Sequence, residues 1–280
     1  MNLLQTLALA VLQGITEPFP VSSLGHAVLL PAILHWQIDE HAPFFLPLLT
    51  MLHLGTLIGL AGVFWQDWKS LLGSATGTNG ASKQESAIRV LVFLVLATLP
   101  AVIFGAVFEH KLRSIFGAPL AAAGFLVTNG LLLIGTDMLI RKKQSLPPRE
   151  IENLNAKDAL IIGFWQCLAF FPGISRSGAT MAGGLLRGLN HGSAARFSLL
   201  MAQPVVLAAT VHQAWQSRHI PLSHDLIVQC IVGAIAAAIT AWICSRAMLR
   251  LFRNHENWSL VPFGLYCIAF GTLSVICIAL

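Results

Sequence analysis

A chain of 280 residues with 56% hydrophobic and only 10% charged residues is not a soluble domain, in which roughly a quarter of residues are charged. With a mean hydropathy of +0.74 it reads as an all-α integral membrane protein, a single membrane domain over 1–280. The net charge of +5 gathers in hydrophilic stretches between apolar runs, so it speaks to membrane orientation and not to nucleic acid.

The first region, 1–36, is apolar but broken around "QGITEPFPVSSLGH" (13–26). Its first basic residue comes only later, at Lys69, so no cleavable signal peptide with a basic leader is expected. Apolar runs long enough to cross a bilayer, about 20 residues, follow at roughly 44–65, 90–108 and 118–140. A second broken region, 158–190, carries "FPGISRSGAT" (171–180), and three more runs lie at roughly 194–214, 226–245 and 258–280. The pieces of the broken regions are too short to span comfortably. They read as two re-entrant helical hairpins beside six transmembrane helices. The cysteines (Cys167, Cys230, Cys244, Cys267, Cys277) lie mostly in apolar runs without metal-ligand spacing and read as small core residues.

Basic residues test this layout. Loops 66–89 (Lys69, Lys83, Arg89), 141–157 (Arg141, Lys142, Lys143, Arg149, Lys157) and 246–257 (Arg246, Arg250, Arg253) are rich. Loops 37–43, 109–117 (Lys111, Arg113) and 215–225 (Arg218) are poor. Six spans and two hairpins that return to their own side put every rich loop on one face, which should be cytoplasmic. Both termini are then outside, the first hairpin opens outward and the second inward.

The two broken regions resemble each other. Pro20-Val21-Ser22-Ser23-Leu24-Gly25 matches Pro172-Gly173-Ile174-Ser175-Arg176-Ser177-Gly178 with one insertion, and "ATLPAVIFGAV" (97–107) matches "MAQPVVLAATV" (201–211). Each half, about 1–140 and 158–280, is a hairpin followed by three spans. An odd number of crossings makes the second copy inverted, and such repeats place a binding site where their broken helices meet.

The polar residues of the two kinks are complementary. An ionisable group at membrane depth costs about 3 kcal/mol on insertion scales and persists when it has a partner or a task. Arg176 offers a planar fork for phosphate oxygens. Ser177, Gly178 and Thr180 open the helix after it, an anion-binding helix start. Ser22 and Ser23 cap the helix of the first hairpin. His26 follows about one turn later and can serve as base to a serine or a water. Ser23 is the favoured nucleophile, with a water activated by Glu17 and His26 as the alternative. Glu17 is placed to orient His26 or to hold a divalent cation such as Mg2+ or Ca2+. Gln13, four residues earlier on the same face, offers a second oxygen ligand. An anion cradle beside a nucleophile and base points to phosphoryl transfer on a lipid phosphate. Asn129 and Asp137, inside a span, are assigned only interhelical hydrogen bonds.

At these residues the sequence resembles the undecaprenyl-diphosphate phosphatases, or bacitracin-resistance proteins, over essentially its whole length. That family carries Glu or Gln, three residues and Glu, then Pro-Val-Ser-Ser-x-Gly-His, here Gln13, Glu17 and "PVSSLGH" (20–26). Its second motif, Pro-Gly-x-Ser-Arg-Ser-Gly-x-Thr, is here "PGISRSGAT" (172–180). The sequence departs from the usual pattern at Leu24 and at Pro18-Phe19. The resemblance implies hydrolysis of undecaprenyl diphosphate to the monophosphate in the bacterial inner membrane. That recycles the carrier for cell-wall synthesis and removes the target of bacitracin. It also carries over Gln13, Glu17, Ser22, Ser23, His26, Ser175, Arg176, Ser177 and Thr180 as site residues, and Gly25 and Gly178 complete the expected diphosphate cradle. The partners expected are a polyprenyl diphosphate lipid and the membrane; a homodimer is left open. A polyprenyl-phosphate flippase is the alternative, because inverted repeats also serve alternating access. The acid-phosphatase-like lipid phosphatases fit poorly: His191 follows Arg176 too late, with no aspartate nearby.

Overall fold

The computed structural model describes residues 2–36, 45–77, 80–116, 118–142, 149–220, 223–254 and 260–279. Among them the chain is all-α, as expected. Six helices are long and apolar enough to cross a membrane. They are α3 (Phe45–Val63), α5 (Ala81–Phe116), α6 (Pro119–Lys142), α9 (His191–Ser217), α10 (His224–Asn254) and α11 (Val261–Ala279). Four short helices make up the two broken regions: α1 (Leu3–Thr16), α2 (Ser23–Ile33), α7 (Ala156–Gln166) and α8 (Arg176–Leu186). The eleventh, α4 (Trp65–Ala75), lies within a stretch expected to be a loop.

Helices outrun the apolar spans. The backbone of α5 runs for 36 residues, through most of the expected loop 109–117, and α10 continues to Asn254, into the expected loop 246–257. Lys, Arg, Glu and Gln are good helix formers, so leaving the apolar phase does not end a helix. The expected loop 37–43 lies outside the described residues.

The breaks have local causes. Glu17 still has helical backbone and donates to the Gln13 carbonyl at 2.9 Å, but Pro18 and Pro20 have no N–H to carry the ladder on, so α1 stops at Thr16 and the chain turns through Glu17–Val21. Ser22 then caps α2, its Oγ accepting from the Gly25 amide at 3.2 Å. It does so with φ 68°, a left-handed backbone uncommon for a residue with a Cβ. In the second region a 3-10 turn (Cys167–Phe170) follows α7. Gly173 turns at φ +107°, where a Cβ would run into the backbone of Ala122 and Leu126. Ser175 caps α8 as Ser22 caps α2, accepting from the Gly178 amide at 3.1 Å.

Small residues bring the helices together. Gly14 of α1 lies against Ala237 and Thr240 of α10, and Gly163 of α7 against Ala97 of α5. α3 packs on α10 through Gly55 and Gly59, and α6 on α11 through Gly130, Gly264 and Gly271. At the base of the second broken region Asp158 is fully buried. It accepts from Arg187 Nη2 at 2.6 Å and Arg149 Nη2 at 3.1 Å. Burial alone would raise its carboxyl, but the hydrogen bonds and charge of Arg187, the Asn155 amide and the charge of Arg149 hold it below its ordinary value.

Candidate active site

The two turns face each other in the middle of the helix assembly. Asn129 of α6 joins them: its Nδ2 donates to the Pro20 carbonyl at 3.0 Å, and its Oδ1 accepts from the Ser175 amide at 3.0 Å. Ser177 Oγ donates to the Phe19 carbonyl at 2.8 Å. Gly25 lies so near Gly173 that a Cβ on it would come within 3.0 Å of the Gly173 Cα. Backbone freed by the prolines is thus satisfied inside the protein, the condition for irregular chain at membrane depth.

At this junction Glu17 is the hub. It is 8% exposed, too buried for a lone charge. Its Oε1 accepts from Arg176 Nη2 at 3.0 Å, and its Oε2 from Ser23 Oγ at 2.6 Å and Gln13 Nε2 at 3.1 Å. Of the residues predicted to converge from the two motifs, Glu17 and Arg176 therefore do so. A hydroxyl bonded to a carboxylate at 2.6 Å has the geometry that a nucleophile and its base require. The guanidinium binds Glu17 through one amino group, and its other amino group reaches the Ser198 carbonyl only at 3.4 Å.

A cavity of about 260 Å³ opens onto this hub. Glu17, Ser22, Ser23, Ser175 and Arg176 form its polar wall, and Ala101, Phe170, Val205, Val206 and Ala209 form an apolar one. One small cavity thus carries both charged or polar and apolar lining residues.

His26 is not where the sequence put it. Its Nδ1 donates to the Ser22 carbonyl at 2.7 Å, which leaves Nε2 to accept from the Tyr266 hydroxyl at 2.8 Å. The ring stacks against Phe270 and Tyr266 of α11, outside the cavity wall. Helical spacing from Ser23 was a fair guide to the face, but the aromatic pair on α11 takes the imidazole. Four further cradle residues also lie off the wall. The amides of Gly25 and Gly178 are used by the two serine caps. Ser177 is bonded to the first turn, and Thr180 Oγ1 bonds Ser198 of α9 at 2.7 Å and the Arg176 carbonyl at 2.8 Å. These residues brace the turns.

Four polar wall residues were missed: Thr16 at the end of α1, His53 of α3, Gln166 at the end of α7 and Gln213 of α9. His53 Nδ1 donates to the Leu49 carbonyl at 2.9 Å. A polar residue within an apolar run was the available signal for them. Asn129, given only interhelical bonds from sequence, proves to bridge the two turns.

For a divalent cation, Gln13 and Glu17 supply two adjacent side chains with oxygen donors. The described residues contain no group of three or more His, Cys, Asp or Glu able to hold a metal by themselves. As the pair stands, Gln13 turns its Nε2 and not its oxygen to Glu17 Oε2 at 3.1 Å, and the Glu17 oxygens already accept from Arg176 and Ser23, so the two side chains would have to rearrange to hold a cation.

Known proteins resemble the chain along nearly its whole length. The family model described as bacitracin resistance protein BacA matches residues 6–273. A protein named undecaprenyl-diphosphatase from Gluconobacter oxydans (strain 621H) is 64% identical, the match covering 97% of each chain. Another so named, from Gluconacetobacter diazotrophicus, is 50% identical over 98% of this chain and 96% of the relative. Undecaprenyl-diphosphatase 2 of Chromobacterium violaceum is 39% identical over 99% of both. With its two motifs meeting at one buried carboxylate and these relatives matching it from end to end, the chain belongs to the BacA bacitracin resistance protein family.

Proposed function

We propose that this protein is a membrane-embedded phosphatase that hydrolyses undecaprenyl diphosphate to undecaprenyl phosphate and inorganic phosphate, so recycling the lipid carrier for cell-wall synthesis and conferring bacitracin resistance. The observation that carries this reading is the triad Ser23–Glu17–Arg176, a hydroxyl and a guanidinium on the two oxygens of one buried carboxylate. The relatives' names supply the substrate.

The terminal phosphoryl group takes the guanidinium of Arg176, competing with Glu17 for it and freeing the carboxylate for the serine. Ser23 Oγ attacks the terminal phosphorus as its proton passes to Glu17 Oε2. The bond from that phosphorus to the bridging oxygen breaks, and the oxygen leaves with the electron pair as undecaprenyl phosphate. Water then attacks the phosphoserine and loses a proton, Glu17 returns its proton to Ser23 Oγ, and phosphate departs. Preorganised charge at the phosphoryl oxygens is the main source of rate. A cation, when bound, would neutralise phosphate charge, with Gln13 and Glu17 as its protein ligands. His26 serves as a positioning residue: it holds the Ser22 carbonyl, one residue from the nucleophile.

The two broken regions are re-entrant hairpins of an inverted repeat, with the first opening to the periplasmic face and both termini outside. Paired packing supports the repeat. The first helix of each hairpin lies on the second span of the other half, Gly14 on α10 and Gly163 on α5, and both hairpins return through a serine-capped helix. The basic loops support the orientation.

The test is phosphate release by the purified protein in detergent from undecaprenyl diphosphate, with chelator and with added Mg2+ or Ca2+. Release that Ser23→Ala abolishes is expected. Lipid binding or transbilayer movement without release would leave a carrier and not a phosphatase.

A further inference from the structure

Gln166 ends α7 and is 2% exposed. Its Nε2 faces the Ala97 carbonyl at 3.5 Å. That long contact favours this orientation of the amide, since the reverse assignment would set two oxygens near each other. Gln166 lines the cavity with Ser23 and Arg176, and its Oε1, itself buried, has no hydrogen-bond partner among the described residues. A buried carbonyl oxygen without a donor costs about 1–3 kcal/mol, so its place on a catalytic wall calls for a ligand. An ionised diphosphate brings acceptors and no donors. The one reactant of a phosphatase that can donate to Oε1 is water.

We propose that Gln166 positions the water that hydrolyses the phosphoserine. The inference rests on the covalent route through Ser23. Gln166 Oε1 accepts one proton of the water without removing it. The oxygen so oriented attacks the phosphorus, the Ser23 Oγ–P bond breaks as Oγ takes the proton held by Glu17, and the proton lost from the water goes to the departing phosphate. Gln166 belongs to neither sequence motif and lies six residues before the second, which begins at Pro172.

The experiment uses purified full-length protein and undecaprenyl diphosphate labelled with 32P at the terminal phosphate. In Gln166→Met, of similar length but without the acceptor, steady-state phosphate release should fall about 100-fold, the scale of a misplaced reactant. Label should meanwhile accumulate on the protein toward one per enzyme, as acid-stable phosphoserine, and the first equivalent of undecaprenyl phosphate should appear at nearly the wild-type rate. That first turnover also reports that the variant is folded. Gln166→Leu should behave alike, and adding Ser23→Ala should abolish the label. If Gln166→Met slows the first and later turnovers equally, or loses both, Gln166 does not act on the second step and the inference is overturned. It is equally overturned if the variant only needs more cation, for then Oε1 is a cation ligand. Retained turnover in Ser23→Ala alone would instead defeat the covalent route itself.

Discussion

Arg176 Nη2 lies 3.0 Å from Glu17 Oε1, joining residues 159 positions apart, one on each broken region. The side chains are 13% and 8% exposed, so the pair is largely withdrawn from water. A buried pair of this kind is weak evidence of stability, because desolvation offsets most of the attraction. Its position on a cavity wall beside a serine is what the proposed chemistry uses.

Arg176→Lys separates the two uses of the charge. Lysine can still neutralise Glu17 but cannot offer two parallel donors to a phosphoryl group. Phosphate release should lose about 2 kcal/mol of transition-state binding, roughly 30-fold in kcat/KM, with thermal stability little changed. Unaltered kcat/KM in Arg176→Lys would reduce the arginine to a counter-ion.

His26→Ala should impair turnover less than Glu17→Gln, because the imidazole is bonded to Ser22 and Tyr266 and lies off the cavity wall. Tyr266→Phe removes only the hydroxyl at Nε2. It should lower activity in the same direction by less than the loss of the ring, with the acid–base limbs of the pH profile kept. A pH limb that disappears in His26→Ala would show that the imidazole does transfer protons.

Asp158 provides a pH prediction away from the chemistry. Its folded carboxyl titrates lower than in the unfolded chain. Its contribution to stability is therefore complete above the unfolded value of about 3.9 and is lost as pH falls through the lower folded value. The thermal midpoint in detergent should drop across that acidic window. Asp158→Asn should cost roughly 2 kcal/mol at neutral pH, since Arg149 and Arg187 lose a charged acceptor, and should flatten the acidic drop. An unchanged acid profile in the variant would assign the drop to other carboxylates.

Much of this was legible in the sequence because membrane depth makes polarity costly. Glu17 and Arg176 stood out against apolar flanks, and the structure brings them together. Proline and serine placed the two turns correctly because their backbone effects are local. What failed depended on neighbours far along the chain. The ring of His26 follows Tyr266 and Phe270, 240 and 244 residues on, and no spacing within the first motif could reveal that. Thr180 sits inside its motif yet bonds Ser198. The ends of α5 and α10 were missed because apolar runs measure bilayer thickness, whereas helices follow backbone propensity.

Orientation is open to labelling. In a variant with its five cysteines replaced, single cysteines in 141–157 should resist a membrane-impermeant thiol reagent in intact cells, and single cysteines in 215–225 should react. The reverse pattern would turn the first hairpin toward the cytoplasm.

The most direct test of the account is a double-mutant cycle on Glu17 and Ser23, read as kcat/KM for phosphate release from undecaprenyl diphosphate. The 2.6 Å bond between Ser23 Oγ and Glu17 Oε2 makes them one nucleophile–base unit, and the parts of such a unit are strongly non-additive. Glu17→Gln and Ser23→Ala should each lower kcat/KM by at least about 100-fold, and the double variant should be no worse than the worse single one. Losses that multiply in the double variant, or substantial activity in Ser23→Ala, would contradict it.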